Sequence, residues 1–333
     1  MNRIERLRAD ISLHHRILEI GPYFNPIAPK ALGYRATTLD VFSTAELRRK
    51  AAVDPNIPRE KVSAIEDVDL VGSASDLADL THVRYGDDWR FDWILSSHNI
   101  EHVPNPIRFL QQCAAVLRPE GILRLAIPDK RFCFDHFRPL TDPSELLQAF
   151  HENRTQPTVY QVFREESLRS ERVRGRRWRP VRRNVSLYRE WFGCGGTVPT
   201  EYIDTHCWAF TPESFELTIL DLAAFGLVNL VIDAITDTCG HEFFVDLRRP
   251  TTALATRAID EDEYHAAREW LLRRCIGDWS AFRVRPAGVR FVPRGAQRIS
   301  PGVMRKRGVL QRVVRESTRL ARQLRILATG KAA

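Results

Sequence analysis

The chain has 333 residues, a hydrophobic fraction of 44% and a formal net charge of +8 at pH 7. That length suits one large domain with additions or two domains, and that apolar content supplies an ordinary hydrophobic core. The charged N-terminus, MNRIERLRADISLHHR, lacks the apolar run of a secretory signal, and no stretch reaches the roughly 18 apolar residues of a membrane-spanning helix. We therefore expect a cytoplasmic protein.

The basic charge is concentrated in two segments. Residues 164–189 carry ten arginines against three acidic residues, residues 290–333 carry twelve basic residues against one, and the remaining chain has a net charge near −10. The arginines of residues 172–183, with Trp178 among them, suit phosphate, a sugar nucleotide, a lipid head group or nucleic acid. Residues 303–327 alternate apolar and arginine residues at helical spacing, which predicts a helix on an anionic membrane or a partner, or else a poorly ordered basic tail.

Strand and helix patterns alternate through the first 130 residues. A short helix is predicted in residues 2–13, a strand ends at Ile20, a helix lies around residues 26–32 and a second strand ends near Asp40. The next predicted elements are a helix over residues 45–52, strands over 67–72 and 91–97, a helix over 106–121 and a strand over 122–130. Such alternation with short connections predicts a parallel sheet covered by helices.

The rhythm breaks in residues 135–205, which are rich in arginine and weakly periodic, and so are typical of an insertion. Regular structure returns with a helix that Thr211 can cap, and with the strands LVNLVIDAI and HEFFVDLRR, whose short turn predicts an antiparallel pair. A further helix is predicted over residues 260–274. We therefore divide the chain into a core (1–134), an arginine-rich insertion or substrate lid (135–205), a completion of the core (206–250) and a helical extension with a basic tail (251–333).

Polar residues follow the predicted strands where ligands bind in an open parallel sheet, outside the carboxyl ends. The first strand runs into RILEIGPYFNP, where Gly21 opens a turn that lacks the other two glycines of a dinucleotide-binding loop. Asp40 stands where a carboxylate accepts ribose hydroxyls, although it could instead cap the following helix. The third, fourth and fifth strands lead to Ser75 and Asp76, to Ser96, Ser97 and His98, and to Pro128 and Asp129.

The series LEIGPYFNP, TLDVF, SASDL, FDWILSSHNIEHVPNP and FLQQCAAVLRPEGILRLAIPD resembles the class I S-adenosylmethionine-dependent methyltransferases, in particular the group related to methyltransferase type 11 domains. The resemblance covers residues 12–130 by motif and 205–248 by architecture, and its most specific part is the IEHVPNP, VLRPEG and IP series. It implies an α/β, Rossmann-like, doubly wound sheet, mostly parallel with an antiparallel terminal strand, and S-adenosylmethionine as cofactor. A nicotinamide dehydrogenase is disfavoured, because it needs no reversed strand.

By the resemblance, Gly21 lies beneath the methionine part of the cofactor, Asp40 binds the ribose hydroxyls and Asp76 binds the adenine amino group. Tyr23 and Asn25 replace the missing glycines, which this cofactor tolerates because it has no pyrophosphate, and we expect both to face its methionine end or shape its entrance. The residues that we expect at the cofactor are Glu19, Gly21, Tyr23, Asn25, Asp40, Ser75, Asp76, Ser96 and Ser97.

Methyl transfer requires alignment and, for a hydroxyl acceptor, a base. His98 and His136 are the candidate catalytic residues, because histidine titrates near neutral pH. His98 ranks first, since it directly ends the fourth strand, although it could equally be a structural histidine. We predict no metal site, because structural zinc usually takes four ligands in paired short spacings and each candidate group offers only two: Glu101 and His102, His206 and Cys207, or Cys239 and His241.

The sequence therefore predicts a methyltransferase that acts on a hydroxyl of a small molecule, a saccharide or a membrane-linked glycan precursor, with its basic tail at an anionic membrane surface. The alternative is a catalytically inactive Rossmann-like scaffold whose arginine segments bind nucleic acid or an anionic surface, and the missing glycines support it. We favour the enzyme, for which nucleic acid is not the expected partner.

Overall fold

The structure, a computed structural model, describes residues 2–173, 177–252 and 260–277. The chain divides into two units, residues 1–291 and 292–333, and every described residue belongs to the first. The predicted basic helix over residues 303–327 lies outside the described residues, so its contact with a membrane stays a prediction. Within the described ranges, no helix has the length and apolar character needed to cross a bilayer.

A seven-stranded sheet forms the centre of the protein, and a separate two-stranded sheet lies outside it. The strands are β1 (Arg16–Ile20), β2 (Arg35–Asp40), β3 (Leu70–Val71), β4 (Phe91–Ser97), β5 (Leu117–Pro128), β6 (Ser170–Val173), β7 (Arg177–Pro180), β8 (Val231–Ile235) and β9 (Glu242–Arg248). The large sheet has the order β3-β2-β1-β4-β5-β9-β8. Strands β1 to β5 pair in parallel, whereas β9 runs antiparallel to both neighbours. The predicted mostly parallel sheet with a reversed last strand is confirmed.

Helices flank this sheet and cover its apolar residues. In the described residues they are α1 (Arg3–Arg8), α2 (Thr44–Val53), α3 (Arg59–Ser63), α4 (Leu77–Tyr85), α5 (Pro106–Val116), α6 (Pro143–His151), α7 (Val159–Leu168), α8 (Asn184–Phe192), α9 (Pro212–Ala224) and α10 (Glu261–Cys275). Thr211 accepts the Ser214 N–H and caps α9, as predicted. The predicted helix around residues 26–32 is only a 3₁₀ turn, Lys30–Leu32, because Pro26 and Pro29 interrupt a longer helix.

Alternate residues of the central strands face two hydrophobic clusters. Leu18 of β1 and Ile94 of β4 belong to the larger cluster, whereas Ile17 and Leu95 belong to a second cluster that also contains Leu7 of α1. Because successive side chains of a strand point to opposite faces, the two clusters cover opposite faces of the sheet. This packing is the doubly wound arrangement that the resemblance implies, and it fixes the strand ends that carry the site.

Where the structure describes residues 135–205, they form three helices and a hairpin. Strands β6 and β7 pair only with each other in the described residues, so this segment adds no strand to the large sheet. Asp142 and Thr158 begin α6 and α7 with capping boxes, and α7 packs on α8 through Val162 and Leu187. The division of the chain into domains, and the role of this segment as a substrate lid, stay predictions.

Candidate functional site

The carboxyl ends of β1, β2 and β4 lie side by side at one edge of the large sheet. Ile20 of β1 pairs with Leu39 of β2 and with Ser96 of β4. Gly21, which follows β1, and Asp40, the last residue of β2, therefore lie at the same level of the sheet. The strand order reverses between β1 and β4, which is where open α/β sheets bind ligands.

The turn after β1 has open space beside Gly21, and the loop that follows it is held by the buried carboxylate of Glu19. Gly21 has a φ of +65°, and no heavy atom lies within 4 Å of the position that a Cβ would take. Glu19, which is 2% exposed, accepts the N–H groups of Ile27 at 2.5 Å and Ala28 at 2.9 Å. Burial raises the pKa of Glu19 to about 7, although these two N–H groups lower it. Glu19 thus anchors the loop that surrounds the open turn.

The two residues that replace the missing glycines differ in their surroundings. Tyr23 has a φ of +44°, packs edge-on to Phe24 at 5.1 Å between ring centroids, and lies in the small cluster of residues that includes Leu47 of α2. Burial and the carboxylates of Asp54 and Asp40 raise the pKa of its hydroxyl. The Asn25 N–H donates to the Pro22 carbonyl at 3.0 Å and closes the turn. Whether these two side chains face the cofactor stays a prediction.

Asp40 is the last residue of β2, and the residue as a whole is 8% exposed. Its Oδ1 accepts the Phe42 N–H at 3.0 Å. Burial raises the pKa of Asp40, although the N–H groups of Phe42 and Val41 lower it. The alternative, in which Asp40 caps the next helix, is not observed, because Ser43 caps α2 by accepting the Glu46 N–H.

Ser75 and Asp76 follow β3 and are held by one arginine. Arg108 of α5 donates to Asp76 Oδ1 at 3.0 Å and to the Ser75 carbonyl at 2.8 Å. Both side chains of the Arg108–Asp76 pair are about half exposed, at 44% and 53%. Asp76 therefore stands at the rim of the sheet edge, on the same side of β1 as Asp40.

These residues fit the cofactor that the resemblance implies. The open space beside Gly21 accepts a ligand against the backbone, and a side chain there would be strained at that φ. The Asp40 carboxylate lies at the end of the adjacent strand, where a ribose is bound in folds of this kind. The donor set and the open turn thus suit S-adenosylmethionine.

His98 lies between two carboxylates at the end of β4. Its φ of +50° is unusual for a residue with a side chain, and its N–H donates to the Ala126 carbonyl at 2.9 Å. Nε2 of His98 lies 2.9 Å from Glu242 Oε2, and Nδ1 lies 3.7 Å from Glu101 Oε1. Arg3 donates to Glu242 Oε1 at 2.7 Å. Burial raises the pKa of Glu242, but hydrogen bonds from His98 and Arg3 outweigh burial and lower it.

Because an ionised carboxylate only accepts, the geometry assigns the proton of His98 to Nε2 and leaves the lone pair on Nδ1. The neighbouring serines are tied to the same network. Ser97 Oγ accepts from Arg3 at 2.5 Å, and Ser96 Oγ accepts from the Asn99 amide at 3.1 Å. Sequence reasoning missed Arg3 and Glu242. The signal for Glu242 was present, since the first residue of a reversed last strand lies at the carboxyl edge, opposite Pro128.

His136, the second candidate catalytic residue, lies at the start of the insertion and contacts its hairpin. Its Nδ1 donates to the Arg131 carbonyl at 2.8 Å, and its ring stacks on Trp178 of β7 with 5.5 Å between centroids. The Lys130 ammonium donates to the His136 carbonyl at 2.9 Å. The hairpin of β6 and β7 thus packs on His136, and the structure does not test a catalytic role for it.

A cluster of one carboxylate and two imidazoles lies next to His98. One ligand atom of each of Glu101, His102 and His206 lies within 4.8 Å of the others. Nδ1 of His102 is 2.9 Å from Asp204, and Nδ1 of His206 is 2.6 Å from Asp135. Burial raises the pKa of Glu101, although the neighbouring imidazoles lower it. The sequence suggested Glu101 with His102 and, separately, His206 with Cys207, but no local pattern brings these two pairs together.

Similar solved structures include three bacterial or archaeal methyltransferases. The CcbJ methyltransferase from Streptomyces caelestis is 13% identical, with a TM-score of 0.38, and the match covers 74% of this chain and 94% of that chain. An S-adenosylmethionine-dependent methyltransferase from Methanosarcina mazei is 17% identical, with a TM-score of 0.36 and coverage of 76% and 99%. One from Mesorhizobium loti is 14% identical, with a TM-score of 0.37 and coverage of 74% and 98%.

No curated protein matches the chain. A family model described as a methyltransferase domain matches residues 1–217, which is well over half of the chain. That match spans the strand ends at which Gly21, Asp40 and His98 lie. The chain therefore belongs to the methyltransferase-domain family, and it is a class I S-adenosylmethionine-dependent methyltransferase, as its motifs predict.

Proposed function

We propose that this enzyme methylates a hydroxyl oxygen of a small molecule, a saccharide or a glycan precursor, and that His98 accepts the hydroxyl proton. The observation that carries this proposal is the position of the His98 imidazole between Glu242 and the buried Glu101. An amine offers a lone pair without losing a proton first, whereas a hydroxyl is a weak nucleophile until a base removes its proton. An oriented histidine therefore favours a hydroxyl acceptor.

The surroundings of His98 suit proton transfer at one atom. Glu242 accepts from Nε2 and fixes the tautomer and the ring, while Arg3 holds Glu242 through two hydrogen bonds. Nδ1 then takes the proton, and the imidazolium that forms lies between two carboxylates, which stabilise its positive charge. S-adenosylmethionine supplies an activated sulfonium methyl when bound, so the remaining task of the protein is alignment.

The cofactor in this proposal lies along the ends of β1, β2 and β3. Gly21 leaves room for its methionine part, Asp40 accepts hydrogen bonds from the ribose hydroxyls, and Asp76 accepts from the adenine amino group. The lining of this pocket is proposed to be completed by Tyr23, Asn25, Ser75, Ser96 and Ser97. His136 is the second candidate for contact with the acceptor, because the arginine-bearing hairpin packs on its ring.

A panel of acceptors tests the proposal. The full-length enzyme is incubated with S-adenosylmethionine and with alcohols, phenols, vicinal diols and sugars, alongside their methyl ethers and the matching amines. We expect S-adenosylhomocysteine to form with hydroxyl acceptors and not with the ethers. Turnover of amines without turnover of hydroxyl compounds would overturn the hydroxyl assignment.

The role of His98 is tested with the acceptor that this panel identifies. His98→Gln should lower kcat by roughly 10²–10⁴-fold, because general-base catalysis contributes about that much. Its Kd for the cofactor, measured by calorimetry, should stay within about threefold of wild type, since the proposal gives His98 no cofactor contact. The exposed His14→Gln is the matched control and should change neither quantity. A His98→Gln enzyme with full kcat would exclude this residue as the base.

A further inference from the structure

We propose that Glu101, His102 and His206 bind a divalent metal ion, with Zn²⁺ the first candidate, at a site beside His98. Two imidazoles and one carboxylate are a donor set of open zinc sites, which keep a position for an oxygen of water or substrate. The three ligand atoms lie within 4.8 Å of one another. Ligand atoms around tetrahedral zinc stand roughly 3.4 Å apart, so binding requires the three atoms to move together by up to about 1.4 Å.

The first argument is the state of the Glu101 carboxylate. Glu101 is 1% exposed, and neither of its oxygens has a hydrogen-bond partner among the residues that the structure describes. Among the described residues, the nearest imidazole nitrogen is Nδ1 of His98, which is 3.7 Å away and therefore beyond hydrogen-bond distance. The ionised form of a buried carboxyl group without a partner is strongly unfavourable, so such a group either holds a proton or binds a cation. A bound cation removes this penalty.

The second argument is the way in which both imidazoles are oriented. Asp204 accepts from Nδ1 of His102 at 2.9 Å, and Asp135 accepts from Nδ1 of His206 at 2.6 Å. With the proton on Nδ1, each ring keeps its lone pair on Nε2. Histidines that bind metals characteristically donate their other N–H to a carboxylate, which fixes the tautomer and raises the basicity of the ligand. Here that arrangement occurs twice around one unpaired glutamate.

The third argument is the rigidity of the support. Arg138 pairs with Asp135 at 2.8 Å, and both side chains are buried. Arg138 also donates to the His206 carbonyl at 2.7 Å, and Glu165 accepts the His206 N–H at 2.6 Å. On the other side of the cluster, the Trp208 N–H donates to the Glu101 carbonyl at 3.2 Å. The ligands are thus held on a fixed backbone before any ion binds.

A metal at this position has a use that rests on the proposed function. The site lies beside His98, because Glu101 is one of its three ligands and lies 3.7 Å from Nδ1 of His98. A hydroxyl oxygen bound to the ion would lose its proton more readily and would be held in place. The favoured acceptor would then be a hydroxyl with a second oxygen donor beside it, such as a vicinal diol or a hydroxy acid, because zinc in such sites can expand to five ligands and take both oxygens.

Metal binding by the full-length protein tests the inference without reference to activity. Protein treated with a chelator is titrated with Zn²⁺ by calorimetry and with Co²⁺ by visible absorption, which reports tetrahedral coordination. We expect one ion per chain, and loss of the site in Glu101→Gln and in His206→Gln. Asp204→Asn should weaken binding by about 10–100-fold, because it removes only the carboxylate that orients His102.

The matched control is His82→Gln on α4, whose imidazole is exposed and lies outside the cluster. It should bind both ions as wild type does. The inference is wrong if wild type binds neither ion, or if binding survives in both ligand variants. Should the buried ligand variants fail to fold, the exposed Asp204 decides, and an unchanged affinity in Asp204→Asn overturns the site.

The metal site and the proposed function fail in distinguishable ways. If Co²⁺ binds as expected while no hydroxyl compound is methylated, the site stands and the acceptor assignment falls. If hydroxyl compounds are methylated at full rate by the chelator-treated enzyme and no metal binds, the acceptor assignment stands and the metal site falls.

Discussion

The two halves of the sheet edge are built in different ways. On the proposed cofactor side, at the carboxyl ends of β1, β2 and β3, the buried carboxylates are bonded locally: Glu19 to Ile27 and Ala28, and Asp40 to Phe42. On the proposed acceptor side, which comprises His98, Glu101, His206 and Glu242, the hydrogen-bond partners of the two histidines are distant in the chain. His98 and Glu242 are 144 residues apart, and His206 and Asp135 are 71 residues apart.

This difference determines how each side responds to damage. A loop held by bonds to its own neighbours keeps its shape when a distant element is disturbed. A cluster assembled from several segments depends on every one of them, and its buried charges make each loss expensive. The acceptor side should therefore be the more fragile half, while the cofactor side should respond residue by residue.

The largest effect is expected from Arg138→Met on the acceptor side. This change leaves the buried Asp135 without its cation, and removing one partner of a buried ion pair costs about 3–5 kcal/mol of unfolding free energy. Urea unfolding measures this loss. The control is Arg179→Met in the exposed pair with Glu171, which should cost no more than about 1 kcal/mol. If Arg138→Met lowers the unfolding free energy by less than about 1 kcal/mol, the buried Asp135 does not depend on Arg138 for its charge balance.

Glu19 provides the corresponding test on the cofactor side, through pH. Its folded-state pKa of about 7 lies above the ordinary 4.5, so the folded protein holds a proton that the unfolded chain releases between these values. The stabilisation is fully present below pH 4.5 and is lost as the pH rises to about 7, by about 3 kcal/mol in total. The unfolding free energy of wild type relative to Glu19→Gln should therefore fall over this range.

The control for the pH experiment is Glu201→Gln, whose carboxyl is exposed and whose removal should leave the pH profile unchanged. A wild-type advantage that stays constant from pH 5 to pH 8 would mean that Glu19 is ionised throughout, held by the two backbone N–H groups. In that case the cofactor side would contain a permanent negative charge beneath the open turn.

The contrast between the two sides also sets what the sequence could predict. The sheet, its reversed last strand and the carboxylate at Asp40 follow from periodicity and from residues adjacent to strand ends, which are local signals. The helix expected around residues 26–32 is wrong because its prolines limit it to one turn, and two of its N–H groups serve Glu19 instead. The buried partner of this segment is Glu19, which belongs to the preceding strand and which the local pattern of residues 26–32 does not show.

Other features carried a signal that periodicity alone does not show. Two capping boxes predict the starts of α6 and α7 in a segment whose apolar pattern is weak. They consist of Asp142 with Glu145 and of Thr158 with Gln161. In contrast, the approach of Arg3 to Glu242 depends on where α1 packs, and no local pattern contains it. Of the residues on the proposed acceptor side, local signals therefore placed together only His98 and Glu101, which follow β4 in the chain.

A smaller effect is expected from Asp40→Ala on the cofactor side. Hydrogen bonds to a charged group contribute about 1.5–3 kcal/mol, so the Kd for S-adenosylmethionine should rise by roughly 10–100-fold. Calorimetry measures the change, and the exposed Asp87→Ala serves as the control. Co²⁺ binding should be unaffected, because Asp40 is not one of the proposed metal ligands. Undiminished cofactor binding would remove Asp40 from the ribose contact and with it the assignment of this loop.

The smallest effect is expected from Arg108→Met, at the rim of the cofactor side. Arg108 and Asp76 form an exposed ion pair, and such pairs contribute about 0–1 kcal/mol to stability. The unfolding free energy should therefore change by less than about 1 kcal/mol, and the Kd for the cofactor by less than about fivefold. Asp76→Ala should weaken cofactor binding more than Arg108→Met does, because Asp76 is the proposed contact to adenine, whereas Arg108 only orients the Asp76 carboxylate. If Arg108→Met has the larger effect on Kd, the arginine itself contacts the cofactor. The cofactor side would then extend onto α5 and would share the long-range construction of the acceptor side.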